Sequence, residues 1–184
     1  MKKSIIFTAV GVVILGLVVL AFLGNDDVNT PQASETKNIK ELVQDYSASN
    51  IENESASITS DELIVTDNEE NQFTYELPED EFFVSIAPFI NQTHPCENHS
   101  LTGCQGEMVD EEFDVYIEDS KGNVIIDQTM KSLSNGFIDL WVPRDETYQV
   151  AITHEDKIAE SEFSTFKKDN TCITTMQLTD NNEA

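Results

Sequence analysis

FDVYIE, residues 113–118, places a strongly apolar side chain at every second position. This period of two indicates a strand that buries one face in a core and exposes the other face to water. Other short apolar stretches follow, separated by turn-forming residues such as Asn135 and Gly136. From residue 81 to residue 184 the sequence therefore predicts a mainly β domain, either a β-sandwich or a partly open barrel.

The strands of this predicted domain are marked by apolar runs with turn residues between them. Pro88 interrupts the first run, at residues 82–90, which is typical of an edge strand or a strand end because proline donates no backbone hydrogen bond. The later strands are expected at residues 113–117, 124–126, 137–142, 148–152, 158–165 and 172–178.

Residues 38–80 predict a small α+β domain made of one helix and one β-hairpin. The helix is indicated by an apolar stripe at helical spacing, formed by Ile39, Leu42, Val43 and Tyr46. The hairpin is expected to pair residues 62–66 with residues 72–77 through the turn-forming residues between them. Because the segment has too few apolar residues for a core of its own, we expect it to pack on the larger domain or on another chain.

The chain begins with a segment suited to a membrane. Lys2 and Lys3 precede nineteen uncharged residues, 5–23, which as a helix would span about 28 Å, close to the thickness of a bilayer core. Residues 1–24 are therefore predicted to be a transmembrane anchor or a signal segment, and the lack of a small-residue cleavage site favours the anchor. Residues 25–37 are predicted to be a flexible linker. This organisation predicts a single-pass protein of the cell membrane with most of the chain outside the cytoplasm, or a secreted or periplasmic protein if the segment is removed.

Thirty-five acidic residues against ten basic ones give the chain a formal net charge of −25. This charge excludes nucleic acid as a partner, because phosphate binding requires clustered Lys and Arg, and it disfavours docking on anionic lipid. A negative field also raises the local concentration of cations. Because the acidic residues are spread along the chain, we interpret the charge as a whole as a means of keeping the protein soluble.

An irregular loop at residues 93–108 concentrates the soft donor atoms of the chain. It contains Cys96 and Cys104 together with His94 and His99. Thiolates select copper(I), zinc or iron–sulfur clusters, and imidazole suits copper and zinc. The spacing of the two cysteines matches no common zinc-finger pattern, so the spacing by itself does not identify the metal.

The residues alone leave several alternatives open for the three cysteines. Cys96 and Cys104 can close the loop as a structural disulfide, in which case Cys172 is a buried thiol. His94 and His99 can be ordinary loop histidines without a ligand role. If the strand that begins at Cys172 pairs beside the loop, all three sulfurs meet.

The string HPCENHSLTGCQGE, residues 94–107, resembles the signature of the CueP family, a group of exported copper-binding proteins of bacteria. Three later stretches agree with the same family: NGF at 135–137, WVPR at 141–144 and TCITTMQL at 171–178. The resemblance covers about residues 82–178.

The resemblance implies a copper site at the three cysteines of the family, which fall on Cys96, Cys104 and Cys172. It also implies copper sequestration and copper resistance outside the cytoplasm, with copper passed to a periplasmic Cu/Zn superoxide dismutase in enteric bacteria. A two-domain subunit that can dimerise is a further implication of the family.

We therefore interpret the sequence as that of a membrane-tethered copper-binding protein that is not an enzyme. Cys96, Cys104 and Cys172 are expected to bind copper(I) in preference to zinc, with His94 and His99 as accessory or capture ligands. A second copy of the chain, a copper-accepting protein and a thiol reductant are the expected protein partners. The alternatives are an extracytoplasmic thiol–disulfide exchange protein, for which the usual C-x-x-C is missing from the sequence, and a non-catalytic β-sandwich module with one structural disulfide.

Overall fold

The three-dimensional structure is a computed structural model that describes residues 36–181. The described residues belong to one compact unit. The predicted transmembrane anchor or signal segment, residues 1–24, lies outside them, as does the predicted linker up to residue 35. In the part of the chain that is described, no helix is both long enough and apolar enough to cross a bilayer.

Residues 36–181 form one helix and twelve strands, which confirms the prediction of a mainly β protein. The helix, α1, spans Thr36–Ser47. The strands are β1 (Ser55–Ile58), β2 (Glu62–Thr66), β3 (Gln72–Glu76), β4 (Glu81–Ile86), β5 (His99–Ser100), β6 (Glu112–Asp119), β7 (Val124–Lys131), β8 (Ile138–Pro143), β9 (Thr147–His154), β10 (Lys157–Ser164), β11 (Cys172–Ile173) and β12 (Thr179–Asp180).

The twelve strands form three sheets. One sheet has four strands in the order β3-β2-β1-β5, a second has five in the order β12-β10-β9-β6-β7, and a third has three in the order β11-β4-β8. The strand pairs are antiparallel except for β11 with β4, which run parallel. The sheets do not join into a closed barrel.

The three-stranded sheet lies between two hydrophobic cores. Phe82, Val84 and Ile86 of β4 pack with apolar residues of the five-stranded sheet, whereas Phe83 packs with residues of α1, β1 and β2. Successive side chains of a strand point to opposite faces, so β4 is buried on both faces. This explains why β4 reads in the sequence as a continuous apolar run instead of an alternating one. β4 is the central strand of its sheet and ends before Pro88, so the proline marks a strand end and not an edge strand.

The N-terminal part of the described chain contains the predicted helix and hairpin. The helix begins at Thr36, two residues before the predicted domain, and its apolar stripe is buried or partly buried. β2 and β3 pair antiparallel as predicted. The structure adds β1, which the sequence did not indicate, and β5, in which His99 pairs with Ile58 of β1. The four-stranded sheet therefore takes one strand from the cysteine loop, while the domain boundary at residues 80 and 81 stays a prediction.

The C-terminal strand is shorter than predicted. β11 has two residues, after which Gln177 makes an isolated parallel bridge with Phe89, and β12 pairs with β10. The N–H groups of Ser85, Ala87 and Phe89 donate to the carbonyl oxygens of Thr171, Ile173 and Met176. The C-terminal segment therefore has one extra residue between the last two contacts, which interrupts the regular ladder. β7, in contrast, extends to Lys131, well beyond the predicted residues 124–126.

Candidate metal centre

Hydrogen bonds between two segments bring the C-terminal strand to the cysteine loop. The backbone N–H of His99 donates to Oγ1 of Thr171 at 2.9 Å. The N–H groups of Thr171 and Cys172 both donate to the carbonyl oxygen of Glu97, at 3.0 and 3.1 Å. Cys172 then opens β11, where it pairs with Ser85 of β4. Cys172 is therefore fixed beside the loop although it is distant in sequence.

Four predicted site residues converge at this place. The ligand atoms of Cys96, His99, Cys104 and Cys172 all lie within 4.8 Å of one another. The Sγ atoms of Cys96 and Cys104 are 3.6 Å apart, and Nδ1 of His99 is 3.4 Å from Sγ of Cys172. His99 and Cys172 are buried, with 0% and 4% of their surface exposed, whereas Cys96 and Cys104 are half-buried. The cluster thus has a buried side and a side that is open to solvent.

His94, the fifth predicted site residue, is not one of the four converging donors. Its ring packs edge-on against Phe137, with 6.3 Å between the ring centroids, and His99 contacts the same phenyl ring at 4.4 Å. The Nε2 atoms of His94 and His99 are both buried and have no hydrogen-bond partner among residues 36–181. Phe137 therefore orients both imidazoles, but only His99 is directed at a cysteine sulfur.

Burial sets the protonation states of these donors. It raises the pKa of the Cys172 thiol far above its ordinary value, and the nearby sulfurs of Cys96 and Cys104 act in the same direction. Burial also raises the pKa of the Cys96 thiol. For His99, burial and then the neighbouring His94 lower the pKa to about 4. The imidazole is consequently neutral near pH 7 and keeps a lone pair for a metal, while protonated thiols leave the centre without buried charge.

A pocket of about 350 Å³ borders the centre and provides access to it. Cys96 and Cys172 belong to its wall, together with residues of β10 and of the segment before β11, including Glu162, Lys168 and Asp169. Two of the three cysteines therefore border the same opening.

Three sulfurs and one imidazole are a donor set for a soft metal ion. Two sulfur ligands of one ion with bonds of about 2.3 Å can be at most about 4.6 Å apart, and the 3.6 Å between the sulfurs of Cys96 and Cys104 meets that condition. The three cysteines are free thiols in the described structure. The sulfurs of Cys96 and Cys104 are therefore close enough to share one metal ion.

The comparisons with known proteins agree with this chemistry. A family model described as "Periplasmic copper-binding protein CueP" matches residues 38–177. The chain belongs to the CueP family. A solved structure titled "Crystal Structure of S.CueP" is 39% identical in sequence, covers 80% of this chain and 92% of its own, and superposes with a TM-score of 0.73. No curated protein shows significant similarity. The CueP match begins at residue 38, so it includes the helix and hairpin that precede the resemblance at residues 82–178.

Sequence reasoning did not identify the residues that position the donors. The Glu97 carbonyl acts through the backbone, which carries no signal in residue type. The Thr171 hydroxyl belongs to a side chain, but its partner, the N–H of His99, is 72 residues away in sequence. Phe137 did carry a signal, because it is an aromatic residue that follows the turn at Asn135 and Gly136 and begins an apolar stretch. The sequence could assign it to a core but not to the histidine rings.

Proposed function

We propose that this protein binds copper(I) outside the cytoplasm and holds it as cargo, without enzymatic turnover. The thiolates of Cys96, Cys104 and Cys172 are the proposed ligands, and Nδ1 of His99 is the fourth donor within reach. The observation that carries the proposal is the convergence of these four donor atoms within 4.8 Å. Membership in a family described as copper-binding supports the same metal.

Copper(I) is the proposed cargo because thiolates are soft ligands and select it over harder ions. Two or three thiolates complete a copper(I) site, which makes His99 an accessory donor. Zinc prefers four ligands, and three cysteines with one histidine are a common zinc set. Zinc is therefore the competitor that a binding experiment has to include.

His94 is proposed to act in the capture of copper and not in its final holding. It lies close enough to His99 to contribute to lowering the pKa of that residue, yet it is not among the four converging donors. His94→Ala is accordingly expected to slow copper uptake while changing the equilibrium affinity less than a cysteine variant does.

The cellular role that we propose is copper sequestration and resistance at the outer face of the membrane. The family is described as periplasmic, and residues 1–24 have the length and apolarity of an anchor. Intact protein is expected to remain with membranes after a high-salt wash. Recovery of a soluble form that begins after Gly24 would instead identify the segment as a removed signal.

Delivery of copper to an acceptor protein is a further part of the proposal. The pocket beside Cys96 and Cys172 supports it, because an acceptor thiolate that enters there would lie next to two of the three cysteines, of which Cys96 is half-buried. Such a transfer exchanges one thiolate ligand for another and needs no change in the oxidation state of copper.

The proposal is tested by competition with a copper(I) chelator under reducing, anaerobic conditions, with the bound metal measured by mass spectrometry. Serine variants of Cys96, Cys104 and Cys172 are each expected to lose affinity by orders of magnitude, because a neutral hydroxyl cannot replace a thiolate. His154→Ala is the matched control, since its ring lies elsewhere, with Nδ1 2.8 Å from the carbonyl oxygen of Glu112. A Cys172→Ser variant that binds as tightly as the parent would rule out the shared site.

Thiol–disulfide exchange with other proteins is the second candidate function, and the 3.6 Å between Cys96 and Cys104 sulfurs favours it. Burial raises the pKa of the Cys96 thiol, however, whereas attacking thiols of exchange proteins usually have a lowered pKa. Measurement of protein-disulfide reduction by the metal-free protein distinguishes the two functions. Multiple turnovers at a rate well above that of free glutathione would favour exchange over sequestration.

A further inference from the structure

Glu107 accepts four hydrogen bonds at the end of the cysteine loop. Its Oε2 atom accepts the backbone N–H groups of Ile90, Asn91 and Gln92, at 2.6, 2.8 and 3.2 Å. Its Oε1 atom accepts Nδ2 of Asn91 at 3.2 Å. A single carboxylate thus binds three consecutive backbone donors, and charge-assisted bonds of this kind are stronger than neutral ones.

The Glu107 contact lies where the loop that carries Cys96 and Cys104 begins and ends. The segment at residues 90–92 directly precedes His94 and Cys96, and Glu107 follows Cys104 by three residues. The carboxylate therefore joins the two ends of the loop that carries two of the three sulfurs.

The backbone that carries Glu107 is itself fixed. The N–H of Gly106 donates to the carbonyl oxygen of Asn135 at 2.7 Å. A Cβ on Gly106 would lie 2.5 Å from the carbonyl oxygen of Gly136, so the two glycines are in close backbone contact. Glu107 thus extends from an anchored segment toward the other end of the loop and holds that end in place.

We propose that Glu107 is a positioning residue of the copper centre, whose carboxylate holds Cys96 at the short distance from Cys104 that shared coordination needs. This inference rests on the proposed function in one respect, since the benefit of the loop closure is copper binding. The loop closure itself is a property of the metal-free protein. Fixing both sulfurs before the ion arrives removes the entropic cost of ordering the loop at the moment of binding.

The chain contains a matched control for this inference. Asp119 makes the same type of contact in the turn between β6 and β7, where Oδ1 accepts the N–H groups of Lys121 and Asn123 at 2.8 and 2.9 Å. Its Oδ2 atom accepts Nδ2 of Asn123 at 2.7 Å. Asp119→Asn therefore removes a comparable carboxylate contact from a turn that carries none of the four donors.

The experiment measures how readily Cys96 and Cys104 form a disulfide in the metal-free full chain, in a Cys172→Ser background. In glutathione buffers the two thiols pass two electrons and two protons to one glutathione disulfide, which becomes two glutathione molecules, so the equilibrium constant reports the effective concentration of one thiol at the other. Glu107→Gln is expected to lower this constant about tenfold, as the loss of one charge-assisted contact would. Asp119→Asn is expected to leave it within about twofold.

Two further measurements separate the outcomes. With Cys172 restored, Glu107→Gln is also expected to weaken copper(I) binding while Asp119→Asn does not. Faster amide hydrogen exchange at residues 90–92 with an unchanged disulfide constant would overturn the inference and leave Glu107 with a purely structural role. A lowered disulfide constant in a protein that does not bind copper(I) at all would overturn the proposed function but support the role of Glu107 in closing the loop.

A second variant covers the case in which Glu107→Gln does not fold. Asn91→Ala removes only the contact to Oε1 and leaves the three backbone bonds in place. It is expected to lower the disulfide constant by a smaller factor, and a folded Asn91→Ala protein with an unchanged constant would count against the inference.

Discussion

Copper(I) affinity is expected to rise steeply with pH, and the steepness counts the thiols that bind. Burial raises the pKa of both the Cys96 and the Cys172 thiol, so each is protonated at neutral pH and must release a proton when the metal binds. Each released proton changes the apparent affinity about tenfold per pH unit, so these two residues alone contribute about a hundredfold per pH unit, which is a lower bound for a site with three thiolate ligands. His99 adds nothing to the slope, because a pKa of about 4 leaves its ring already neutral.

The measurement is a competition titration between about pH 6 and about pH 7.5, with a chelator whose own proton release is known. Cys172→Ser is expected to reduce the slope by about one logarithmic unit per pH unit, and His154→Ala is expected to leave it unchanged. A parent protein whose affinity changes less than about tenfold per pH unit would refute the reasoning. An unchanged slope in Cys172→Ser would show that this thiol releases no proton to copper.

Three other expectations concern stability. Gly136→Ala and Gly122→Ala both place a side chain at a positive φ, 79° and 81°, which costs about 1–2 kcal/mol. Gly136→Ala is expected to lose more unfolding free energy, because only there would the Cβ approach a backbone oxygen, that of Gly106 at 2.7 Å. Equal losses for the two variants in denaturant unfolding would contradict this. Burial raises the pKa of Asp139, so the contribution of this carboxyl to stability is fully present below its unfolded pKa and is lost as pH rises through its folded pKa. Asp139→Asn should lessen this loss of unfolding free energy as pH rises above about 4, and an identical loss in parent and variant would count against the expectation. Copper(I) at about a thousand times Kd should raise the unfolding free energy by about 4 kcal/mol, and anaerobic unfolding with no such gain would exclude tight binding.

The strands of the five-stranded sheet were predictable because their residues alternate. β6 buries Phe113, Val115 and Ile117 in one core while the intervening residues stay outside it. Turn-forming residues mark the connections between these strands, so the local sequence was sufficient to predict them. The same reasoning succeeded for the hairpin of β2 and β3, in which Leu63 and Val65 are buried on one face.

The short strands could not be predicted, because their existence depends on distant partners. β1 has the sequence SASI, in which the small polar residues give no strand pattern. It is a strand because it pairs with β2 on one side and with β5 on the other. β5 has two residues and forms where His99 meets Ile58 across the sheet. Such pairings follow from tertiary packing and leave no periodic pattern in so few residues.

The donor residues of the candidate metal centre could be named from the sequence, whereas the way in which four of them converge could not. Cys96 and Cys104 could be named as candidate ligands because they lie with two histidines in one short loop. The position of Cys172 beside that loop depends on the parallel pairing of β11 with β4, which the sequence does not reveal. The sequence treated His94 and His99 alike because both lie in the same irregular loop. The structure distinguishes them, since β5 pairing fixes His99 toward Cys172 while His94 packs on Phe137.

The acidity of the chain and the softness of the centre have different consequences for metal selection. A net charge of −25 concentrates every cation near the protein, so it raises encounter rates but does not distinguish copper from calcium or magnesium, which oxygen ligands bind well. Under the proposed function, we expect discrimination to come from the sulfur donors, because the thiols of Cys96 and Cys172, whose pKa values burial raises, release their protons only to an ion that binds sulfur strongly. Hard cations do not meet that requirement. Because the cost of displacing these protons is the same for every metal, selectivity is expected to follow from the strength of the metal–sulfur bond. Removing surface carboxylates is accordingly expected to change the rate of copper capture more than its selectivity.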